Sequence, residues 1–240
     1  TPRTSVSMVD IGANLRAVKQ RVARAAERSR RDCSEVELLV VTKTWSPSVI
    51  TEVLEEGHTL LGENKLQEAE KKIAQLPDGL RWHFIGHLQR NKARKALALF
   101  DSIHSVDSVR LARHLDRVAG ELNRKTSIFL QVNAAGEESK SGFAVGELAE
   151  ALPDLAGLSN LEVAGLMSIP PVVAQPEAAR SSFRALRALR DDLQQGTGMS
   201  LPGLSMGMSH DFEVAIEEGA TIVRVGSSIF GPRRRAAAPE

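Results

Sequence analysis

The chain contains no tyrosine, one cysteine and only 4% aromatic residues among its 240. A lone cysteine, Cys33, can form neither an internal disulfide nor a multi-cysteine metal site, which fits a reducing compartment and points to the cytoplasm. An excess of either charge is also missing. The 31 Lys and Arg face 30 Asp and Glu, so the bulk electrostatics draw the chain to neither nucleic acid nor an acidic membrane. No run approaches the roughly 18 apolar residues of a membrane span, and the first residues lack the apolar stretch of a signal peptide. What remains is an ordinary globular composition, 42% hydrophobic and 25% charged. At this length one large domain over residues 1–240 is expected.

The hydrophobic pattern alternates. From residue 8 to 31, Val9, Ile11, Leu15, Val18, Val22, Ala25 and Ala26 recur at mostly three- and four-residue steps, which predicts an amphipathic helix at the front. Eight short apolar runs follow, at 37–42, 58–62, 81–88, 102–106, 127–133, 161–167, 204–208 and 221–225. Helical stretches separate them, at 47–56, 66–76, 91–99, 108–123, 145–152, 176–195 and 212–218. Strict strand–helix alternation implies a parallel sheet with right-handed crossovers. Eight such units within residues 37–231 favour a closed (β/α)8 TIM barrel, with an open doubly wound sheet as the alternative. Residues 232–240 read as a loose tail.

In a barrel, chemistry gathers at the carboxyl ends of the strands. The first strand ends in Lys43, directly after an apolar run. Desolvation there would lower the amine's pKa and let it attack an aldehyde, although a lone strand-end lysine can also simply snorkel to solvent. Strands seven and eight end in Ser205-Met206-Gly207-Met208-Ser209-His210-Asp211 and Arg224-Val225-Gly226-Ser227-Ser228. Small residues and hydroxyls at two neighbouring helix starts suit a phosphate dianion, and they also make ordinary helix caps. With the lysine, they point to a ligand carrying both a carbonyl and a phosphate. Arg224, if it faces inward, needs an acceptor such as a ring nitrogen or a neighbouring carboxylate. His83 and His87, four apart on the expected third strand, share a face without a carboxylate to complete a metal site. Met167, Met206 and Met208 read as core or pocket lining. Asp211 and Glu213 most simply begin the helix after strand seven.

Seven motifs stand in one order along the chain: Val40-Val41-Thr42-Lys43-Thr44, Gly62-Glu63-Asn64, His83-Phe84-Ile85-Gly86, Lys140-Ser141-Gly142-Phe143, Gly165-Leu166-Met167, Leu204-Ser205-Met206-Gly207-Met208-Ser209, and Val223-Arg224-Val225-Gly226 through Ile229-Phe230-Gly231. Together they resemble the pyridoxal phosphate homeostasis proteins, relatives of bacterial alanine racemase, over residues 8 to 231. The resemblance implies a (β/α)8 barrel that binds pyridoxal 5′-phosphate, with Lys43 forming the internal aldimine. It further implies Asn64 beside the ring and Arg224 at the pyridine nitrogen. Ser205, Ser209, Gly226 and Ser227 match the phosphate-holding positions, and Met167, Met206 and Met208 would border the cofactor. Three residues depart from the pattern. His87 and Arg90 stand where many members read Pro and Ser, and His210 where an acidic residue is usual.

Fold and cofactor leave the activity open. One expectation is a monomeric, non-catalytic carrier that buffers pyridoxal phosphate and exchanges it with apo-enzymes or meets amino acids. Another is a racemase of this lineage, which pairs the lysine with a tyrosine from a second, C-terminal domain. This chain has no tyrosine and ends where that domain would begin, so the carrier is favoured. A missing base removes about 10²–10⁴-fold of rate. A Schiff-base aldolase acting on a phosphorylated sugar is the third alternative, though it has no use for an arginine at a ring nitrogen.

Overall fold

A computed structural model describes residues 9–133, 141–171 and 173–232. Residue 8 of the expected front helix, residues 137–140 of the loop after strand five and the tail 233–240 lie outside the described residues.

The eight strands are β1 (Glu37–Val41), β2 (Leu60–Glu63), β3 (Arg81–Phe84), β4 (Ser102–Val106), β5 (Thr126–Gln131), β6 (Leu161–Met167), β7 (Gly203–Met208) and β8 (Ile222–Val225). They pair in parallel in sequence order, and β8 returns to β1 with Glu37 opposite Ile222 and Val40 opposite Val225. The sheet is a closed barrel, which sets aside the open alternative. Helices α1 (Ile11–Arg28), α2 (Pro47–Glu55), α3 (Leu66–Ile73), α4 (Ala93–Leu99), α5 (Val109–Glu121), α6 (Val145–Ala156), α7 (Arg180–Thr197), α8 (Phe212–Glu217) and α9 (Ser227–Phe230) surround it.

Alternation along each strand sorts the apolar side chains into two shells. A small inner cluster fills the barrel: Leu39, Leu60, Phe129, Met167 and Ile222. The larger outer cluster lies between strands and helices, with Leu38, Val40, Leu61, Leu166, Leu204, Met206 and Val225 as strand contributions. Helix α1 starts at Asp10, whose side chain accepts from the Ala13 N–H at 2.8 Å. It buries Ile11, Leu15, Val18, Val22, Ala25 and Ala26. Bonds from Asn14 Nδ2 to Ile229 O at 2.9 Å and from Arg31 to Ile216 O and Ala220 O at 3.0 and 2.8 Å tie it beneath α8 and α9.

Two expected boundaries are corrected. The third strand stops at Phe84 rather than Leu88, because Gly86 crosses the Asn64 backbone so closely that a Cβ would lie 2.0 Å from Asn64 O. The run at 176–195 splits into a 3₁₀ turn, Pro176–Ala179, followed by α7.

Candidate functional site

The end of β1 is clamped from behind. Thr42 donates its N–H to Gly62 O at 3.0 Å and its hydroxyl to Glu63 Oε1 at 2.6 Å. From α3, Lys72 reaches in and donates to Thr42 O and Glu63 Oε1, both at 2.7 Å, and to Glu68 Oε1 at 2.6 Å. Glu68 in turn accepts from the Thr44 N–H. The half-buried Lys43 thus sits between two backbone groups that are each fixed. Thr44 has φ +72°, in the left-handed region that a β-branched residue rarely adopts, so the turn that presents Lys43 stores strain.

The clamp is electrostatically tense. Glu63 is completely buried, and burial raises its carboxyl pKa against the pull of Lys72 and Thr42. Its second oxygen, Oε2, has no hydrogen-bond partner among the described residues. Burial also works against ionised Glu68, but hydrogen bonds from Lys72 and Thr44 hold its pKa below the ordinary value.

A second polar group runs through the barrel interior. Arg224 faces inward from β8, 4% exposed, and donates to Ser205 Oγ at 2.7 Å and Ser168 O at 2.8 Å. Ser205 Oγ also lies 2.8 Å from His104 Nδ1, and His104 Nε2 lies 3.0 Å from His83 Nδ1. Burial pulls Arg224 down to about 10, with Asp211 opposing, so it stays charged at neutral pH. Burial pushes His83 down to about 4 and His104 well below its ordinary value, the latter helped by the charge on Arg224. Both imidazoles are therefore neutral.

The third group is the corner between β7 and β8. Ser209 Oγ accepts from the Gly226 N–H at 3.1 Å and the Ser228 N–H at 3.3 Å, and Ser228 Oγ donates to Ser209 O at 3.1 Å. An oxygen thus already stands at the turn into α9, as a phosphate oxygen would. Gly207 brings β7 there with φ +90°, where a Cβ would meet that of Ala215 at 2.5 Å. Asp211 folds back to accept from the Met208 N–H at 2.7 Å rather than capping α8 with its side chain.

The structure settles the facing of Arg224, which the sequence left open, as inward, and it corrects four other readings. Ser205 is fully buried with its hydroxyl committed to Arg224 and His104. It lies inside β7, whereas Ser209 lies in the turn beyond the strand's end at Met208, so it supports the arginine and is not part of the phosphate corner. Met206 points outward into the shell between strands and helices and does not border the interior. Met167 is in the inner cluster, and Met208 is half-buried at the end of β7. His83 and His87 do not share a face, because β3 ends between them: His83 is buried, whereas His87 is exposed and 3.5 Å from Asp107. No carboxylate contacts Arg224 among the described residues; its acceptors are a hydroxyl and a carbonyl.

Asn64 is half-buried beside Gly86, Gly226 is half-buried and Ser227 exposed. Arg90 and His210, the remaining departures, are exposed. A cleft of about 530 Å³ beyond the β2 and β3 ends is lined by Lys65, Glu68, Lys71, His87 and Lys92 among others; it shares Glu68 with the clamp, and Lys43, Ser209 and Arg224 are not part of its lining. Sequence reasoning missed His104, Lys72 and Thr42. The signal for His104 was a polar residue at inward parity within the apolar run of β4. Lys72, on α3, carried no such signal.

An amine at the end of β1, a buried guanidinium on the adjoining β8 and an oxygen-holding turn after it define a parallel barrel of the alanine racemase type. The chain belongs to the alanine racemase N-terminal domain family, whose model matches residues 13–234, and within it to the pyridoxal phosphate homeostasis proteins. A protein of that name from Aquifex aeolicus is 45% identical over 221 residues, covering 92% of this chain and 97% of its own length. One from Escherichia coli K12 is 39% identical over 235 residues, covering 94% and 98%. The solved structure of PipY from Synechococcus elongatus with PLP bound matches at a TM-score of 0.81 and 40% identity, over 92% of this chain and 100% of that one.

Proposed function

We propose that this chain is a cytoplasmic, non-catalytic holder of pyridoxal 5′-phosphate that buffers the cofactor and releases it to apo-enzymes, residues 8–231 acting as one binding domain. The observation that carries the reading is the buried Arg224, charged and without a carboxylate partner among the described residues, one strand away from Lys43. Ser205 Oγ and Ser168 O take one N–H from each terminal nitrogen, and the charge, with no carboxylate to neutralise it, suits an added neutral acceptor such as a ring nitrogen.

The residues fit that cofactor. When bound, pyridoxal phosphate supplies an aldehyde open to attack by an amine, a ring nitrogen and a phosphate. Lys43 offers the amine from a turn fixed by Thr42, Lys72 and Glu68. Arg224 offers N–H groups to the ring nitrogen, and its permanent charge disfavours a proton there, which weakens carbanion chemistry. Gly226 and Ser228 offer backbone N–H groups to the phosphate where Ser209 Oγ now accepts, with Ser227 at the same turn. Asn64 flanks the ring, and Met167 and Met208 supply apolar borders.

A racemase needs a second acid–base group on the opposite face of the substrate carbon. The resemblance assigns that role to a tyrosine, and the sequence has none. Two assays test the reading together. Loaded protein mixed with an apo-enzyme should restore its activity, and a panel of amino acids should show no racemisation. Turnover approaching the enzyme median of about 10 s⁻¹ would overturn the non-catalytic assignment.

A further inference from the structure

The interior of the barrel holds a chain of polar side chains that cofactor contact alone does not require: Arg224, Ser205, His104 and His83, joined at 2.7, 2.8 and 3.0 Å. Its hydrogen-bond direction follows from chemistry. A guanidinium has no acceptor, so Arg224 donates and Ser205 Oγ accepts. Ser205 is fully buried, and the one other partner of its hydroxyl among the described residues is His104 Nδ1. A buried hydroxyl proton left without an acceptor is costly, so it goes to Nδ1. His104 then carries its own proton on Nε2 and donates it to His83 Nδ1, which places the His83 proton on Nε2 as well. The Phe129 ring, 4.5 Å from the His104 ring, closes one side of this chain.

We propose that His104, backed by His83, is a positioning residue for Arg224: it takes the Ser205 proton, turns the Ser205 lone pairs to the guanidinium and so fixes the aim of Arg224 toward the ring of a bound cofactor. The proposal rests on the cofactor reading above. A carboxylate in place of Ser205 would also orient the arginine, but it would neutralise its charge. The neutral imidazole chain orients Arg224 and leaves that charge undiminished. Barrel packing alone would be met by an apolar side chain of similar size at residue 104.

Two measurements test it. The first uses the unliganded protein: ¹⁵N–¹H correlation spectra of the histidine rings should show His104 and His83 neutral and protonated on Nε2. A His104 proton on Nδ1 would overturn the direction of the chain. The second measures binding of pyridoxine 5′-phosphate, which lacks the aldehyde and so reports the non-covalent contacts without Lys43 chemistry. His104→Leu should weaken binding by up to about tenfold, the upper end for one neutral hydrogen bond lost from a buried network. His104→Asn keeps an acceptor near Nδ1 and should recover most of that loss. Ser205→Ala combined with His104→Leu should bind no worse than Ser205→Ala alone, because one residue acts through the other.

Thermal melts run beside each variant separate folding from positioning. A His104→Leu protein that melts earlier but binds as the wild type does would make His104 merely structural. Additive losses in the double variant would contradict the route through Ser205. If the wild type itself binds no pyridoxine 5′-phosphate, the cofactor reading and the assigned aim fall together, and the ring spectra still decide the direction of the chain.

Discussion

His83 illustrates how burial becomes a dependence on pH. Its imidazole, ordinarily titrating near 6.5, is pushed down to about 4 in the folded chain. Between those values the unfolded chain binds a proton that the folded chain refuses, so stability falls as pH drops through this window. His104 adds to the effect in the same direction. Chemical denaturation at about pH 7.5 and about pH 5 should show the wild type losing about 2 kcal/mol more between them than His83→Gln. Equal losses would mean that His83 is not held neutral. The same residue shows where the sequence stopped being legible. The strand ends that carry Lys43 and Ser209 could be located from the pattern, whereas the facing of Arg224 could not. The partner of His83 could not either, because His104 lies 21 residues away and only the register of β3 against β4 brings the two rings together. Ser205 was read as a phosphate ligand because it belongs to the same short motif as Ser209, and the end of β7 separates them.

At the scale of the element, the clamp of β1, β2 and α3 governs how Lys43 is presented. Lys72 is one buried cation serving Thr42 O, Glu63 and Glu68. Removing it leaves a buried carboxylate without compensation, which costs about 3–5 kcal/mol in comparable pairs. Lys72→Met should therefore lower stability by that amount in denaturant titrations, and adding Glu63→Gln should restore part of it. The double variant separates folding from presentation, since Thr44 remains strained with only Glu68 to hold it. Strand and helix identity were readable from periodicity, as β4 and β6 show by matching their expected bounds. The end of β3 was not, because it depends on how closely Gly86 passes Asn64, a contact between distant residues.

For the whole molecule, α1 is a brace across the closing seam of the barrel. Its apolar stripe was visible in the sequence, but the destination of that stripe was not. Leu15 is fully buried, and ion pairs from Arg21 to Glu213 at 2.8 Å and Arg28 to Glu217 at 2.9 Å run from α1 to α8. Leu15→Ala should cost about 2–5 kcal/mol. Faster amide exchange at residues 226–230 should accompany it, because Asn14 holds Ile229 O from the same helix. Unchanged exchange there would show that α1 stabilises the barrel without bracing the β8–α9 corner.

On the proposed reading, one amine, one guanidinium and one oxygen-holding turn serve a common ligand. Hydride trapping of pyridoxal phosphate-loaded protein, followed by peptide mass spectrometry, tests this most directly. The trapped adduct should lie on the peptide containing Lys43 and vanish in Lys43→Ala. A fully loaded protein whose Lys43 peptide stays unmodified would contradict the account.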